Sequence, residues 1–578
     1  MFIKNEEINK FLDARGKVVL NACPGSGKTT SIAYKLQTLT EEIVKNNNKY
    51  SGVACLSFTN IAKDEINQRY KTFAGYYLKY PHLVSTIDSF INQYIVLPNY
   101  HLLFPHINRP SILNNSIILD SFNLWDLNRK YKINKIPISK IYKPSDIKYS
   151  LGKGYVFKKN KPAKLDKSQL IVFNNYCNQL KKWQFNKGLL TNDDSTYIGL
   201  VLLKKHKMIG ESLIKRFPLI MLDEAQDTSE IHFAIFDTLI ELGLGKIEII
   251  GDTYQSLYEW REARPDLFME RYNDKNWNSF DYTFCMRSEQ NIINTYSLLR
   301  DDNKSINSTI SETTNTIKIL RYEISKEISA VKKYIELTKS FSCNQIVVRG
   351  RSLLNKLLGF NSKKNYWKTN IPLSLISAKQ DLLKNEIKNA VNTTRKLILL
   401  ISNPDSDYEH RIKIEKELKK DYILNSKIIK LLNELPSFGL SLREWTLKTE
   451  DFIKSFLNLK SKFDFQLKQK QGDVIYKSSI AKLFNIQSFE NIFPISTIHQ
   501  VKGKTFDSLM LFLSENSSGQ NVSLNDYSKP ADFPSDKKRM LYVAMSRPRH
   551  LLAIAVPKDT DSNVLIEKFG KDIEIIDV

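Results

Sequence analysis

Twelve consecutive residues, Val19-Leu20-Asn21-Ala22-Cys23-Pro24-Gly25-Ser26-Gly27-Lys28-Thr29-Thr30, restrict what this chain can fold into more than any other stretch. An apolar run, a Gly/Pro/Ser loop and a Lys-Thr pair read in turn as a buried strand, a phosphate-cradling loop and a helix opening at Thr30. Loop N–H groups and a helix N-terminus offer partial positive charge to a polyphosphate, and Lys28 adds a full charge. The Thr29 hydroxyl is placed to ligate Mg2+. The spacing predicts a nucleoside triphosphate site made by Ala22, Cys23, Pro24, Gly25, Ser26, Gly27, Lys28, Thr29 and Thr30.

Two more strand-to-helix transitions follow. Ala54 to Ser57 runs into Phe58-Thr59-Asn60 and a helix from Ile61, and Leu83 to Thr86 runs into Ile87-Asp88-Ser89-Phe90. Alternation of strand and helix suggests a mostly parallel sheet whose ligands gather at the carboxyl ends of its strands. Phe58 and Phe90 are either core residues or rings that stack on a nucleic-acid base, beside hydroxyls that meet phosphates. Residues 100 to about 217 carry basic runs, Lys158-Lys159-Asn160-Lys161 and Lys181-Lys182-Trp183, and read as a partly helical insertion. Its lysines are either directed at nucleic acid or merely part of a basic surface.

The strand Pro218 to Leu222 ends in Asp223-Glu224, adjacent carboxylates that are costly to bury unless a cation or a proton transfer uses them. With the phosphate loop upstream, Asp223 is expected beside magnesium and Glu224 to orient and deprotonate the attacking water. Alone, the pair is open to a second reading, as a helix N-cap. The next strand, Lys246 to Ile250, runs into Gly251-Asp252-Thr253-Tyr254-Gln255-Ser256-Leu257-Tyr258-Glu259-Trp260-Arg261. Gln255 can both donate and accept, which suits a γ-phosphate sensor. Trp260 and Arg261 place a stacking face beside a phosphate fork.

The chain has 578 residues, enough for about three or four domains. Its 86 Lys and Arg against 62 Asp and Glu give a formal charge of +24, which favours polyanionic partners, although a lysine-rich solvated surface has the same composition. The five cysteines, Cys23, Cys55, Cys177, Cys285 and Cys343, are too dispersed for a ligand cluster or a disulfide framework. The charged N-terminal residues and the lack of a long apolar run lead us to expect no signal peptide, no membrane span and a cytoplasmic location.

Taken together, these runs resemble the motifs of the UvrD/Rep-like superfamily 1A DNA helicases, in the family's order. Ala22 to Thr29 resembles motif I, Ser57-Phe58-Thr59-Asn60 with Ala62 motif Ia, Asp223-Glu224-Ala225-Gln226-Asp227 motif II, and Gly251-Asp252 through Tyr258 motif III. Arg287-Ser288, then Thr497-Ile498-His499-Gln500-Val501-Lys502-Gly503-Lys504-Thr505-Phe506, then Leu541-Tyr542-Val543-Ala544-Met545-Ser546-Arg547 resemble motifs IV, V and VI. The resemblance implies an α/β fold of two RecA-like P-loop NTPase domains, each with a mostly helical inserted subdomain. On that map residues 1–99 plus 218–280 form the first domain and 100–217 its insertion, while 281–369 plus 491–578 form the second and 370–490 its insertion.

It further implies ATP and Mg2+ as cofactors, with Arg287, Gly503 and Arg547 joining the nucleotide contacts. Lys28, Asp223, Glu224, Gln255, Arg287 and Arg547 would carry the chemistry. Phe58, Thr59, Asn60, Thr86, Trp260, Arg261 and His499 would lie along single-stranded or tailed duplex DNA, travelled 3′ to 5′. The sequence departs from the family where the base is read. Glu6-Glu7 stands where a glutamine is usual, and Cys285-Met286-Arg287 where Asn-Tyr-Arg is common; Asp88 and Thr505 replace a common His and Glu. The resemblance therefore carries over triphosphate hydrolysis but not adenine selection. The short stretch after His550 leads us to expect no fused nuclease. In these features the chain resembles compact helicase-like proteins of anti-phage defence operons, such as Gabija-type systems, with chromosomal repair or a plasmid-borne accessory helicase as the other readings. That allows a nuclease or other defence protein as partner, and, as the alternative function, a nucleotide-gated DNA-binding sensor that regulates such an effector without processive unwinding.

Overall fold

The computed structural model describes residues 5–113, 124–152, 154–157, 165–257, 263–310, 315–357, 365–383, 387–402, 414, 418, 421–458, 465–468, 473–484, 494–514 and 521–578. The chain divides into two compact units, one of residues 1–321, 340–343 and 498–578, the other of 322–339 and 344–497.

The first unit is built on a six-stranded sheet of β1 (Lys17–Ala22), β2 (Val53–Ser57), β3 (Leu83–Thr86), β4 (Leu219–Asp223), β5 (Lys246–Gly251) and β6 (Asn278–Tyr282), in the order β6-β1-β5-β4-β2-β3. Every pairing is parallel. Both faces are covered, so the inner strands are mostly apolar runs whose alternate residues enter two different cores. Val18, Leu20, Val53, Cys55, Leu219 and Met221 pack with α1 (Glu6–Asp13), α2 (Lys28–Asn46) and α3 (Asn60–Ala74). Val19, Ala54, Leu56, Ile220, Leu222 and Ile249 pack on the other face with α4 (Asn192–Lys205) and α5 (Glu230–Glu241). Phe90 is fully buried in that second core, which settles it as a packing residue and not a base-stacking one.

Within 100–217, the helix Lys167–Asn186 starts with a capping box of Asp166 and Gln169. Lys181 on it is not directed at nucleic acid: it is 2% exposed, and its Nζ lies 2.7 Å from Asp194 Oδ1. A buried ammonium is tolerable there because Gln184 and Asp194 accept its protons. Lys182 is exposed, and Lys158 to Lys161 lie outside the described residues. Four further strands, β7 (Ile317–Tyr322), β8 (Phe506–Phe512), β9 (Pro548–Pro557) and β10 (Ile573–Asp577), are ordered β8-β9-β7-β10, with β8/β9 and β7/β10 parallel. The helix α6 (Asp536–Met545) precedes β9.

In the second unit, the strand Asn344–Val348 pairs in parallel with Ile495–Thr497. Helices Ile371–Leu383, Ile387–Ser402, Tyr422–Glu434 and Leu442–Phe456 pack around Trp367, Trp445 and Phe484. Trp367 is buried at no polar loss because its indole N–H donates to Thr446 Oγ1 at 2.9 Å. Leu431 and Leu432 are core residues of this bundle, while Glu415 to Lys420, apart from Leu418, lies outside the described residues.

Candidate active site

Helix α2 begins at Lys28, two positions before the expected Thr30, because Gly27 takes the cap with φ 85° and its carbonyl accepts from Ser31 N at 2.9 Å. Gly25 is also left-handed, φ 74°. Glycine is required at both positions on a second count. A Cβ at Gly25 would stand 2.6 Å from Arg287 Cβ, and one at Gly27 2.5 Å from the Met286 methyl. The segment after β6 is thus pressed onto the loop. Cys23 N donates to Tyr282 O at 3.1 Å, Cys23 Sγ to Phe284 O at 3.1 Å, and Met286 N to Gly25 O at 2.9 Å. Met286 packs on the phosphate loop itself. Glu7, from α1, accepts the Thr283 N–H at 2.8 Å and its hydroxyl at 2.6 Å, so this carboxylate steadies the bracing segment.

Asp223, 2% exposed, ends β4, with β5 between it and β1. Burial raises its pKa, the neighbouring Glu224 charge adds to this, and Lys28 opposes it. Glu224 follows with φ 54°, a left-handed conformation that costs a non-glycine residue about 1 to 3 kcal/mol. Its carboxylate accepts from Gln226 Nε2 at 2.5 Å and lies 4.0 Å from Lys28 Nζ and 3.9 Å from Lys502 Nζ. Burial pushes Glu224 up, yet Lys28 and then Lys502 outweigh it and hold the group below the ordinary carboxylate range. Glu224 is therefore ionised at neutral pH.

Asp252 and Gln255, after β5, extend this cluster. Asp252 N donates to Gln226 Oε1 at 3.1 Å, and Gln255 Nε2 to Asp252 Oδ2 at 2.7 Å. Gln255 Oε1 accepts from Arg547 Nη2 at 2.5 Å. Arg547 is 1% exposed; burial, with the charge of Arg287, lowers it to about 9. Arg287 Nη1 donates to Ser546 O at 3.1 Å, so the two arginines stand side by side. Lys502 Nζ donates to Gln255 O at 2.8 Å and pairs with Asp227.

The structure thus collects Lys28, Asp223, Glu224, Gln255, Arg287 and Arg547 in one cluster, together with residues whose part no local pattern announces. Lys502 and Asp227 are two of these. Arg539 of α6 is a third: it is buried, and its Nε donates to Ser256 O at 2.9 Å, tying α6 to the turn after β5. Gly503, φ 80°, makes the turn that follows Lys502.

Phe58 and Asn60 follow β2, and Thr86 ends β3, where Ser57 is paired with Thr86. Phe58 is half-buried and Asn60 exposed. Thr59 caps α3 by accepting from Ala62 N at 3.2 Å. Thr86 caps the helix Ile87–Ile91, and Asp88 in that helix lies 3.1 Å from His232 Nε2. His499 sits half-buried on the short helix Ile498–Val501. Trp260 and Arg261 lie outside the described residues.

Two buried groups test whether a magnesium-bound triphosphate suits this site. Lys28 Nζ and Asp223 Oδ1 make no hydrogen bond to any described residue, although buried polar atoms left without one are costly. Magnesium needs few protein ligands beyond substrate phosphates, and the Thr29 hydroxyl and Asp223 carboxylate are the hard oxygen donors it prefers. The residues fit.

A left-handed glycine loop opening a helix, an acidic pair on the next strand but one, and a glutamine with arginines gathered beside them define a P-loop NTPase on a RecA-like sheet. Residues 4–276 match the UvrD/REP helicase N-terminal domain family. That match takes in the phosphate loop and the acidic pair, and it supports a UvrD-like enzyme. Over 577 residues it is 23% identical to Gabija protein GajB of Bacillus cereus (strain VD045), covering 97% of each chain. It is 24% identical over 437 residues to ATP-dependent DNA helicase Rep of Buchnera aphidicola subsp. Schizaphis graminum (strain Sg), covering 68% of this chain and 58% of that one. It is 25% identical over 300 residues to DNA helicase II of Salmonella typhimurium (strain LT2), covering 50% and 38%. The chain therefore spans nearly all of GajB but less than two thirds of Rep. Among the described residues no helix is long and apolar enough to cross a membrane.

Proposed function

We propose that this protein is an ATP-dependent DNA translocase or helicase that moves 3′ to 5′ on single-stranded or tailed duplex DNA, and that it acts in the cytoplasm in anti-phage defence. The observation that carries this reading is the bond from Arg547 to Gln255, which joins an arginine near the C-terminus to the residues that follow β5. The near full-length likeness to GajB favours defence over repair.

Lys28 and the loop N–H groups hold the terminal phosphates, with Arg287 and Arg547 adding charge where it develops during transfer. Mg2+, held by Thr29 and Asp223, supplies further charge neutralisation when bound. Glu224, kept ionised by Lys28 and Lys502, orients a water and accepts its proton. Gln255 touches Arg547 directly and is covalently close to the turn leading to Trp260 and Arg261, so occupancy of the phosphate site and grip on a strand share one segment. Phe58, Thr59, Asn60, Thr86 and His499 complete the strand contacts. The domain limits inferred from the resemblance, with motor domains of 1–99 plus 218–280 and 281–369 plus 491–578, are part of this proposal.

Strand displacement on 3′-tailed and 5′-tailed duplexes, with hydrolysis measured with and without single-stranded DNA, tests the reading. Lys28→Ala should abolish turnover, and Glu224→Gln should keep nucleotide binding while turnover falls by about a hundredfold or more. Wild-type hydrolysis indifferent to DNA would defeat it. A second reading, a nucleotide-gated DNA sensor that controls a nuclease or other defence protein, is favoured by the contrast between the full coverage of GajB and the partial coverage of Rep. Robust unwinding of a 3′-tailed duplex by the protein alone would remove it.

A further inference from the structure

At the end of the first sheet away from the phosphate loop, three segments pack together: 48–52 before β2, 76–82 before β3 and 215–217 before β4. Gly52 N donates to Arg216 O at 2.9 Å, Ser51 Oγ to Lys215 O at 2.8 Å, and Val53 N to His82 Nδ1 at 3.2 Å. A Cβ at Gly52 would stand 2.1 Å from Pro81 O, so the segments are fixed against one another. They form a ledge.

Three tyrosines stand out on this ledge, Tyr76, Tyr77 and Tyr80, which are 53%, 44% and 68% exposed. Each has a cation on its ring. Lys79 Nζ lies 5.9 Å from the Tyr76 centroid, Lys71 Nζ 4.7 Å from that of Tyr77, and the Arg216 guanidinium 5.0 Å from that of Tyr80. Buried Tyr70 meets Tyr76 edge-on at 6.1 Å, and Gln68 Nε2 donates to Tyr77 OH at 3.0 Å. The rings are therefore held before any ligand arrives, which lowers the entropy lost on binding.

We propose that this ledge is a second binding site for single-stranded nucleic acid, separate from the strand contacts proposed at Phe58, Asn60 and Thr86. Fixed, half-exposed rings with lysines and an arginine between them offer stacking faces for bases and charge for phosphates in the same few residues. A protein partner fits less well, because lysine is depleted from the cores of protein interfaces and here it flanks the rings. The two sites lie at opposite ends of β2 and β3, about 17 Å apart along a five-residue strand. Since β3 is the edge of the sheet, a strand leaving Thr86 can follow that edge to Tyr80. The site stands whether or not the chain unwinds duplex.

The test uses the full-length protein, without nucleotide, and oligodeoxythymidylate strands of about 10 and about 40 nucleotides, sized for one site and for both. A halouracil-substituted long strand, cross-linked by light and mapped by mass spectrometry, should form adducts at Tyr76, Tyr77 or Tyr80. Replacing all three by Ala should weaken binding of the long strand about tenfold or more, while the short strand still finds the other site. Lys71→Glu with Lys79→Glu, both at exposed positions, should do the same and reduce the salt dependence. Absence of adducts on the ledge, or long-strand affinity within about twofold of wild type in both variants, overturns the proposal. So does a change of oligomeric state in the variants with strand affinity intact, which would make the ledge a protein interface.

Discussion

Arg547 donates to Gln255 Oε1 at 2.5 Å while the amide nitrogen of the same glutamine donates to Asp252 at 2.7 Å. One side chain thus holds an arginine and a carboxylate apart while binding both, which its amide can do because it presents an acceptor at one end and a donor at the other. Gln255→Ala would leave Arg547 and Asp252 buried without that partner. We expect kcat to fall about a hundredfold, as when an oriented transition-state donor is lost, with nucleotide affinity within a few fold of wild type. Single-turnover hydrolysis beside equilibrium binding of a fluorescent nucleotide separates the two effects.

Met286 bears on base selection. Its methyl group packs toward Gly27, and Glu7 is committed to Thr283, so neither supplies the ring or the amide with which an adenine would be chosen. We expect kcat/KM for ATP and GTP to agree within about tenfold, and Met286→Tyr to change the ratio by restoring a stacking face worth about 1 kcal/mol. Competition between the two nucleotides in one assay reads this directly. An unaltered ratio in the variant would show that the base is read elsewhere.

How far such a site is legible depends on how local its logic is. The phosphate loop, Asp223-Glu224 and the strands before them could be read because each is a contiguous run whose residue types make sense only together. The pairing of Lys502 could not: it stands in the run that resembles motif V, but nothing local there names its partners. Its partners Asp227 and Gln255 lie 275 and 247 positions away in the chain. Arg539 and Ser256, 283 positions apart, pose the same difficulty. The parallel sheet followed from strand–helix alternation. Lys181 went astray because a basic run looks solvated unless the distant Asp194 that neutralises one member is known.

Asp227 supplies a pH signature. Burial raises its pKa from 3.8 to about 6 despite its pairing with Lys502. A carboxyl raised on folding binds its proton more tightly in the native state, so this group's contribution to stability is largest at low pH. It declines as pH rises from about 4 to about 6. A shift of about two units corresponds to on the order of 3 kcal/mol. Asp227→Asn should lack this decline, which urea melts of both proteins at pH 4.5 to 7 would reveal as a narrowing, then a crossing, of the difference between them. Parallel curves would mean that Asp227 titrates normally.

Beneath the nucleotide loop, Lys35 Nζ on α2 lies 2.9 Å from Glu248 Oε1 on β5, with both side chains at most 1% exposed. Lys35 Nζ also donates to Phe11 O at 2.7 Å, so one ammonium links α1, α2 and β5. Burial lowers Lys35 and raises Glu248, each opposed by the charge of its partner. Removing one member strands the other in an apolar layer, whereas removing both exchanges a desolvated pair for packing. We expect Glu248→Ala to destabilise the protein by about 3 to 5 kcal/mol, and Lys35→Met combined with Glu248→Leu to cost much less. Denaturant unfolding of both variants checks this. A double variant as unstable as the single one would mean that the pair is needed for the position of α2, and with it the phosphate loop, beyond its own electrostatic balance.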